Sequence, residues 1–197
     1  MQSSMRGWLQ WIVPACLAMG IAACAHPVKI SPQLALAREE SRMISARVGY
    51  RLTDAQRALQ VTTPGGGGDK VSYFPYRDLE PGLYETLSTV FTEVYVIPSS
   101  NSGQFIADRK LRFVFTPEFQ TESSSSNFVF WNPTDFTIRL TATAFDDSGN
   151  QVWTRTLVGT GKAPAGGSLV ETPSAQAAAA DVFQQLQHSL LVAPEFR

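Results

Sequence analysis

Hydrophobic and polar positions change period several times along the chain. From Trp8 to Gly20 the residues are mostly apolar, with Trp8, Leu9, Trp11, Ile12, Val13, Leu17 and Met19 prominent. "ISARVGYRL" (44–52) alternates Val48, Tyr50 and Leu52 against Arg47 and Arg51, which predicts a strand. "AQRALQVTT" is compatible with helix or strand, "TPGGGGDK" reads as a flexible loop, and "KVSYFPY" (70–76) reads as a strand stopped at Pro75. In "RDLEPGLYETLSTVF" a period of 3.6 takes over. Leu83, Leu87, Val90 and Phe91 share one face, with Asp78 or Glu80 available as a cap and Pro81 in the first turn.

That helix leads straight into a strand, "EVYVIP" (93–98), and then a loop, "PSSNSGQ". Residues 111–116 alternate as a further strand, followed by the polar run "TESSSSN" and the aromatic "FVFWNPTD". The longest alternation places Phe136, Ile138, Leu140, Ala142 and Ala144 on one face and Thr137, Arg139, Thr141 and Thr143 on the other. "DDSGN" predicts a hairpin turn, with "QVWTRTLVG" returning antiparallel. A last helix, capped by Thr172 or Ser174, buries Ala179, Val182, Phe183, Leu186 and Leu190. The expected fold is α+β, an antiparallel sheet with one or two helices packed on one face.

The first stretch is of another kind. One basic residue, Arg6, precedes the apolar run, which Gln10 and Pro14 interrupt and which is too short to span a bilayer. This is the layout of a secretory signal peptide, residues 1–23. It closes on Ile21-Ala22-Ala23-Cys24, which resembles the lipobox of bacterial lipoproteins: a branched apolar residue, two small residues and a cysteine. The resemblance implies thioether attachment of diacylglycerol to Cys24, cleavage before it, and, because Ala25 rather than Asp follows, export to the outer membrane. Two or three acyl chains suffice for stable anchoring. Residues 24–45, broken by Pro27 and Pro32, then read as a lipidated tether in which 34–40 winds a short helix, and 46–197 as one periplasmic domain.

Composition narrows the function. Cys16 and Cys24 are the two cysteines, so a mature domain beginning at Cys24 has neither a disulfide nor a free thiol. Without Arg6, fifteen basic side chains stand against seventeen acidic ones, and no basic cluster argues for nucleic acid. Gly65–Gly68 followed by Asp69-Lys70-Val71 lacks the Gly-Lys-Ser/Thr ending of a phosphate loop. His26 and His188, the two histidines, are far apart in sequence, so no metal site is expected. No Gly-x-Ser-x-Gly elbow is present, and the acidic pairs Glu39-Glu40 and Asp146-Asp147 fall in a tether and a turn. The chain therefore reads as no enzyme, with no cofactor.

Two aromatic groups remain, "FVFW" (128–131) and Tyr73, Phe74, Tyr76 with Arg77. Both suit core packing, and the second also suits a partner surface. The Cys24 lipobox, "LYETLSTVFTEVYVI", and "LTATAFDDSGNQVWTRTLVGTG" before an Ala-rich helix together resemble small α/β outer-membrane lipoproteins, such as the YajG-like group and auxiliary lipoproteins of envelope assembly. What this implies is a non-catalytic accessory protein bound to an envelope partner and facing the periplasm. The alternative is a module binding a small envelope ligand, a glycan or lipid, in a cleft of the sheet.

Overall fold

A computed structural model describes residues 25–126, 129–164 and 172–197. Residues 1–23, read above as a signal peptide, Cys24, and Phe128 of the second aromatic group lie outside the described residues. Among the described residues eight strands form two sheets with helices packed against them, an α+β fold.

The main sheet has the order β5-β2-β6-β7-β8, made of β2 (Ile44–Tyr50), β5 (Phe91–Val96), β6 (Phe113–Ser124), β7 (Asp135–Asp146) and β8 (Gln151–Lys162). The last three are long and antiparallel, as the alternation predicts. β2, however, runs parallel to both of its neighbours, so the sheet is mixed rather than antiparallel. The cause is connectivity. A helix, α2 (Pro75–Val90), separates β5 from the strands before it, and a second, α3 (Ser102–Arg109), separates β5 from β6. Such crossovers return the chain in the same direction.

A smaller sheet, β1-β4-β3, holds β1 (Ala25–Pro27), β3 (Val61–Pro64) and β4 (Lys70–Tyr73). Here the tether expectation needs correction. Ala25, His26 and Pro27 pair in parallel with Lys70, Val71 and Ser72, and Val28 and Ile30 are buried in the core. Residues 25–30 are thus part of the fold, because alternate apolar side chains find a sheet to lie on. No α-helix forms at 34–40, only a 3-10 turn at Glu40–Arg42. The ambiguous stretch after β2 divides into a short helix, α1 (Asp54–Ala58), with Thr53 and Gln56 forming a capping box, and β3.

α2 begins at Pro75, so Pro81 lies inside the helix and not in its first turn. Neither Asp78 nor Glu80 is its cap; that position is held by Phe74, whose N–H reaches Asp78 at 3.4 Å. Leu79, Leu83, Leu87 and Val90 face the core. The terminal helix, α4 (Pro173–Val192), buries the expected stripe. Thr172 sits at its N-cap position without a capping bond, while Ser174 instead donates to Pro133 O at 2.8 Å. α2 and α4 cover one face of the main sheet. α3 lies across the other, where Phe105 and Ile106 pack with Tyr95 on Ile97, Leu111 and Val114. The two helices expected on one face are thus α2 and α4, and α3 is an addition on the other.

α4 comes unusually close to β8. A Cβ added at Gly161 would fall 1.9 Å from Ser174 O, and one at Gly159 would fall 2.1 Å from Ala178 O. Only glycine lets helix backbone and strand backbone approach to this distance. Next to this contact α4 also meets the outer edge of β8. Asp181 accepts from Thr160 N–H at 3.0 Å, and Gln185 donates to Val158 O at 3.0 Å.

Candidate functional site

The opposite edge of the main sheet is β5. There α2 stands beside the strand, and between them runs a groove of about 600 Å³ lined by Tyr50, Arg77, Pro81, Tyr84, Ser88 and Val96, among others. Its continuation along β5 adds about 410 Å³, bounded by Arg38, Tyr84, Ser88 and residues 91–95. Tyr84 and Val96 are each 45% exposed, large apolar surface on an otherwise well-covered element pair.

One end of the groove is braced by charge. Glu80 on α2 accepts from Arg57 Nε and Nη2, both at 2.8 Å, and from Tyr50 Oη at 3.0 Å. Arg57 also donates to Leu52 O at 3.0 Å, so the group ties α1 and β2 to α2. The Arg57 guanidinium is the main reason that the Glu80 carboxyl is held below the usual carboxylate range, against the opposing effect of burial. Burial, then the Glu80 charge, pushes the Tyr50 phenol up. The result is a fixed ion pair with a protonated phenol. General acid catalysis calls for the reverse, a carboxyl raised toward neutrality. Tyr50 and Glu80 line this end of the groove, with their polar atoms engaged by one another and by Arg57.

The aromatic patch expected at Tyr73, Phe74, Tyr76 and Arg77 is not a surface. Tyr73 and Tyr76 are buried, their hydroxyls satisfied inside: Tyr73 donates to Thr121 Oγ1 at 2.9 Å, and Tyr76 accepts from Phe119 N–H at 3.4 Å. Tyr73 ends β4 with its ring in the core, and Tyr76 lies in the first turn of α2 on its buried side. Arg77 remains exposed over the Phe74 ring, 3.8 Å from its centroid, and reaches the rim of the groove. Nothing in the sequence signals the partnership of Tyr50, Arg57 and Glu80, since three different elements bring them together.

At the start of β1, His26 stacks on Trp131 with centroids 4.5 Å apart and lies 3.3 Å from Asp69 Oδ2. The glycine loop closes against the same residue, Gly66 N–H donating to Trp131 O at 2.8 Å. Just before Trp131, Val129 and Phe130 are 81% and 49% exposed. Among the described residues no three of His, Cys, Asp and Glu come together as a metal site. His188 lies apart, beside Gln187 in a small hollow of about 130 Å³.

Neither a family model nor a curated protein matches the chain. Among solved structures it is similar to a Xanthomonas campestris protein of the DUF330 family, with a TM-score of 0.50 and 13% identity over 86% of this chain and 94% of that one. Two dodecameric PelC structures from Paraburkholderia phytofirmans align less closely. A variant gives a TM-score of 0.47 at 17% identity, and another crystal form gives 0.46 at 15%; each alignment covers 83% of this chain and 95% of the other. At these identities the DUF330 likeness is one of fold.

Proposed function

We propose that the protein is a lipid-anchored, non-catalytic accessory factor of the cell envelope, held at the outer membrane through Cys24 and binding a protein partner on the periplasmic side. The observation that supports this reading is the Ile21-Ala22-Ala23-Cys24 resemblance to a lipobox, together with the pairing of Ala25–Pro27, the residues that follow that cysteine, with β4 of the domain. An acyl chain on Cys24 holds the body close to the bilayer, with almost no free tether between them. Val129 and Phe130, exposed near the same end of the molecule through the His26–Trp131 contact, supply apolar surface suited to a membrane interface. Among the described residues no helix is long and apolar enough to cross a membrane.

Small-ligand binding is the weaker reading. A ligand cleft needs polar groups converging on the ligand, and the Tyr50, Arg57 and Glu80 groups beside the β5 groove satisfy one another. The test is metabolic labelling with palmitate in cells making the full chain, alongside Cys24→Ser. Label on the parent and none on the variant, with the parent alone in the outer-membrane fraction, is the expected result. Equal label on both overturns the anchor.

A further inference from the structure

The two edges of the main sheet are treated differently, and the difference points to a binding mode. At β8, side chains of α4 occupy an outward N–H and an outward C=O. At β5, Ile97 donates its N–H to Tyr50 O, on the side of β2. Polar groups of alternate residues face opposite sides of a strand, so those of Val94 and Val96 turn away from β2. β5 is the end of the strand order, and among the described residues nothing pairs with that side of it. An uncovered edge is a template for another strand, and proteins ordinarily blunt such edges.

We infer that β5 is a docking edge: an extended segment of a partner polypeptide adds to it as a sixth strand, lying in the groove between β5 and α2. This rests on the partner-binding reading and specifies how the partner is held. Three observations fix the class of occupant. The outward N–H and C=O groups of Val94 and Val96 call for a backbone with the same repeat, which an extended peptide has and a glycan or lipid lacks. The groove wall is apolar and aromatic at Tyr84, Pro81 and Val96, so side chains on that face of the segment are apolar. On the other face Glu93 and Tyr95 stand beside Arg47, so the alternate side chains there are polar.

A second copy of this chain is the poorer fit. The edge lies in a recess walled by α2 and Arg38, and two recesses facing each other hold their strands apart. The edge is also small. Six residues of strand are about 20 Å long and about 5 Å wide, on the order of 100 Å², where a stable dimer buries about 800 Å² on each partner.

The experiment places the photo-crosslinking residue benzoylphenylalanine at Val96 in the full chain, in cells, with the same residue at Thr156 on the far side of the sheet as reference. The expected result is an adduct at position 96 with another polypeptide, mapped by mass spectrometry to a segment alternating apolar and polar residues. Val94→Pro removes one outward donor and leaves the β2 side intact; it is expected to reduce the adduct at least about tenfold. Tyr84→Ala, at an exposed position, is expected to reduce it several-fold, and it carries the test alone if Val94→Pro melts early in purified form. An adduct of twice the chain's mass overturns the choice of occupant, and an adduct indifferent to both substitutions overturns strand addition. Capture at 156 with none at 96 overturns the docking edge and leaves partner binding standing, whereas capture at neither position overturns both.

Discussion

β5 and β8 end the same sheet, yet one is left open beside a groove and the other is closed by a helix. At β8, Gly159 and Gly161 let α4 settle onto the strand until Asp181 and Gln185 reach its edge. At β5, α2 continues directly into the strand, and the polar anchors of that helix, Glu80 above all, are directed to Arg57 and Tyr50. Closure here depends on how near a helix backbone can come and on where its polar side chains are engaged. Hydrophobicity does not distinguish the two edges, since both carry β-branched residues.

The sharpest way to break the contrast is to force β8 open. Gly161→Ala puts a methyl group where Ser174 O stands and must push α4 outward. We expect a loss of about 2–3 kcal/mol, the upper range for overpacking, seen as a lower urea midpoint with an unchanged slope. A stability within error of the parent value would mean that the helix slides at no cost and that the close approach is incidental.

A second step removes the edge's hydrogen bonds without disturbing the helix seat. Asp181→Ala with Gln185→Ala leaves Thr160 N–H and Val158 O without their side-chain partners. Each bond contributes on the order of 1 kcal/mol, and the exposed edge should raise light scattering on gentle heating. A double variant as soluble as the parent would show that α4 covers the edge by bulk alone.

Much of this end of the molecule was legible in the sequence. The α4 stripe and the alternation of β7 are periodic signals, and the face each predicts as apolar is buried. What the sequence concealed was set by pairing over distance. β1 is three residues long and carries no period; it exists because β4 offers an edge. α3 hides behind "PSSNSG", a run that reads as loop, with Asn101 and Lys110 at its ends in the left-handed conformation. The parallel position of β2 depends on two crossovers that no local pattern records. Tyr73 and Tyr76 misled because an aromatic cluster suits a core as well as an interface, and here the end of β4 and the first turn of α2 both place their rings inside.

The brace at the open edge offers a pH test. Glu80 has its carboxyl held low in the folded chain, so it contributes stability above the ordinary glutamate range, roughly pH 4 to 5. That contribution fades as pH falls through the lower folded value. Glu80→Gln should therefore cost about 1–2 kcal/mol at neutral pH, and the gap from the parent should close as the medium is acidified below that range. A gap constant from pH 7 to pH 3 would show that Glu80 acts through shape and not charge.

The smallest effect on stability is the most telling for the comparison. Tyr84 is half-exposed on α2 and has little of the fold resting on it, so Tyr84→Ala should shift stability by less than about 0.5 kcal/mol. If β5 is open because something docks there, this nearly silent substitution must still weaken partner capture. The Asp181 and Gln185 changes must do the opposite, weakening the fold and leaving capture at β5 intact. Measuring melting and crosslinking side by side on the two variants therefore separates an edge kept for binding from one closed for folding. If both variants lower melting and capture in proportion, the edges do the same job and the asymmetry has no functional meaning.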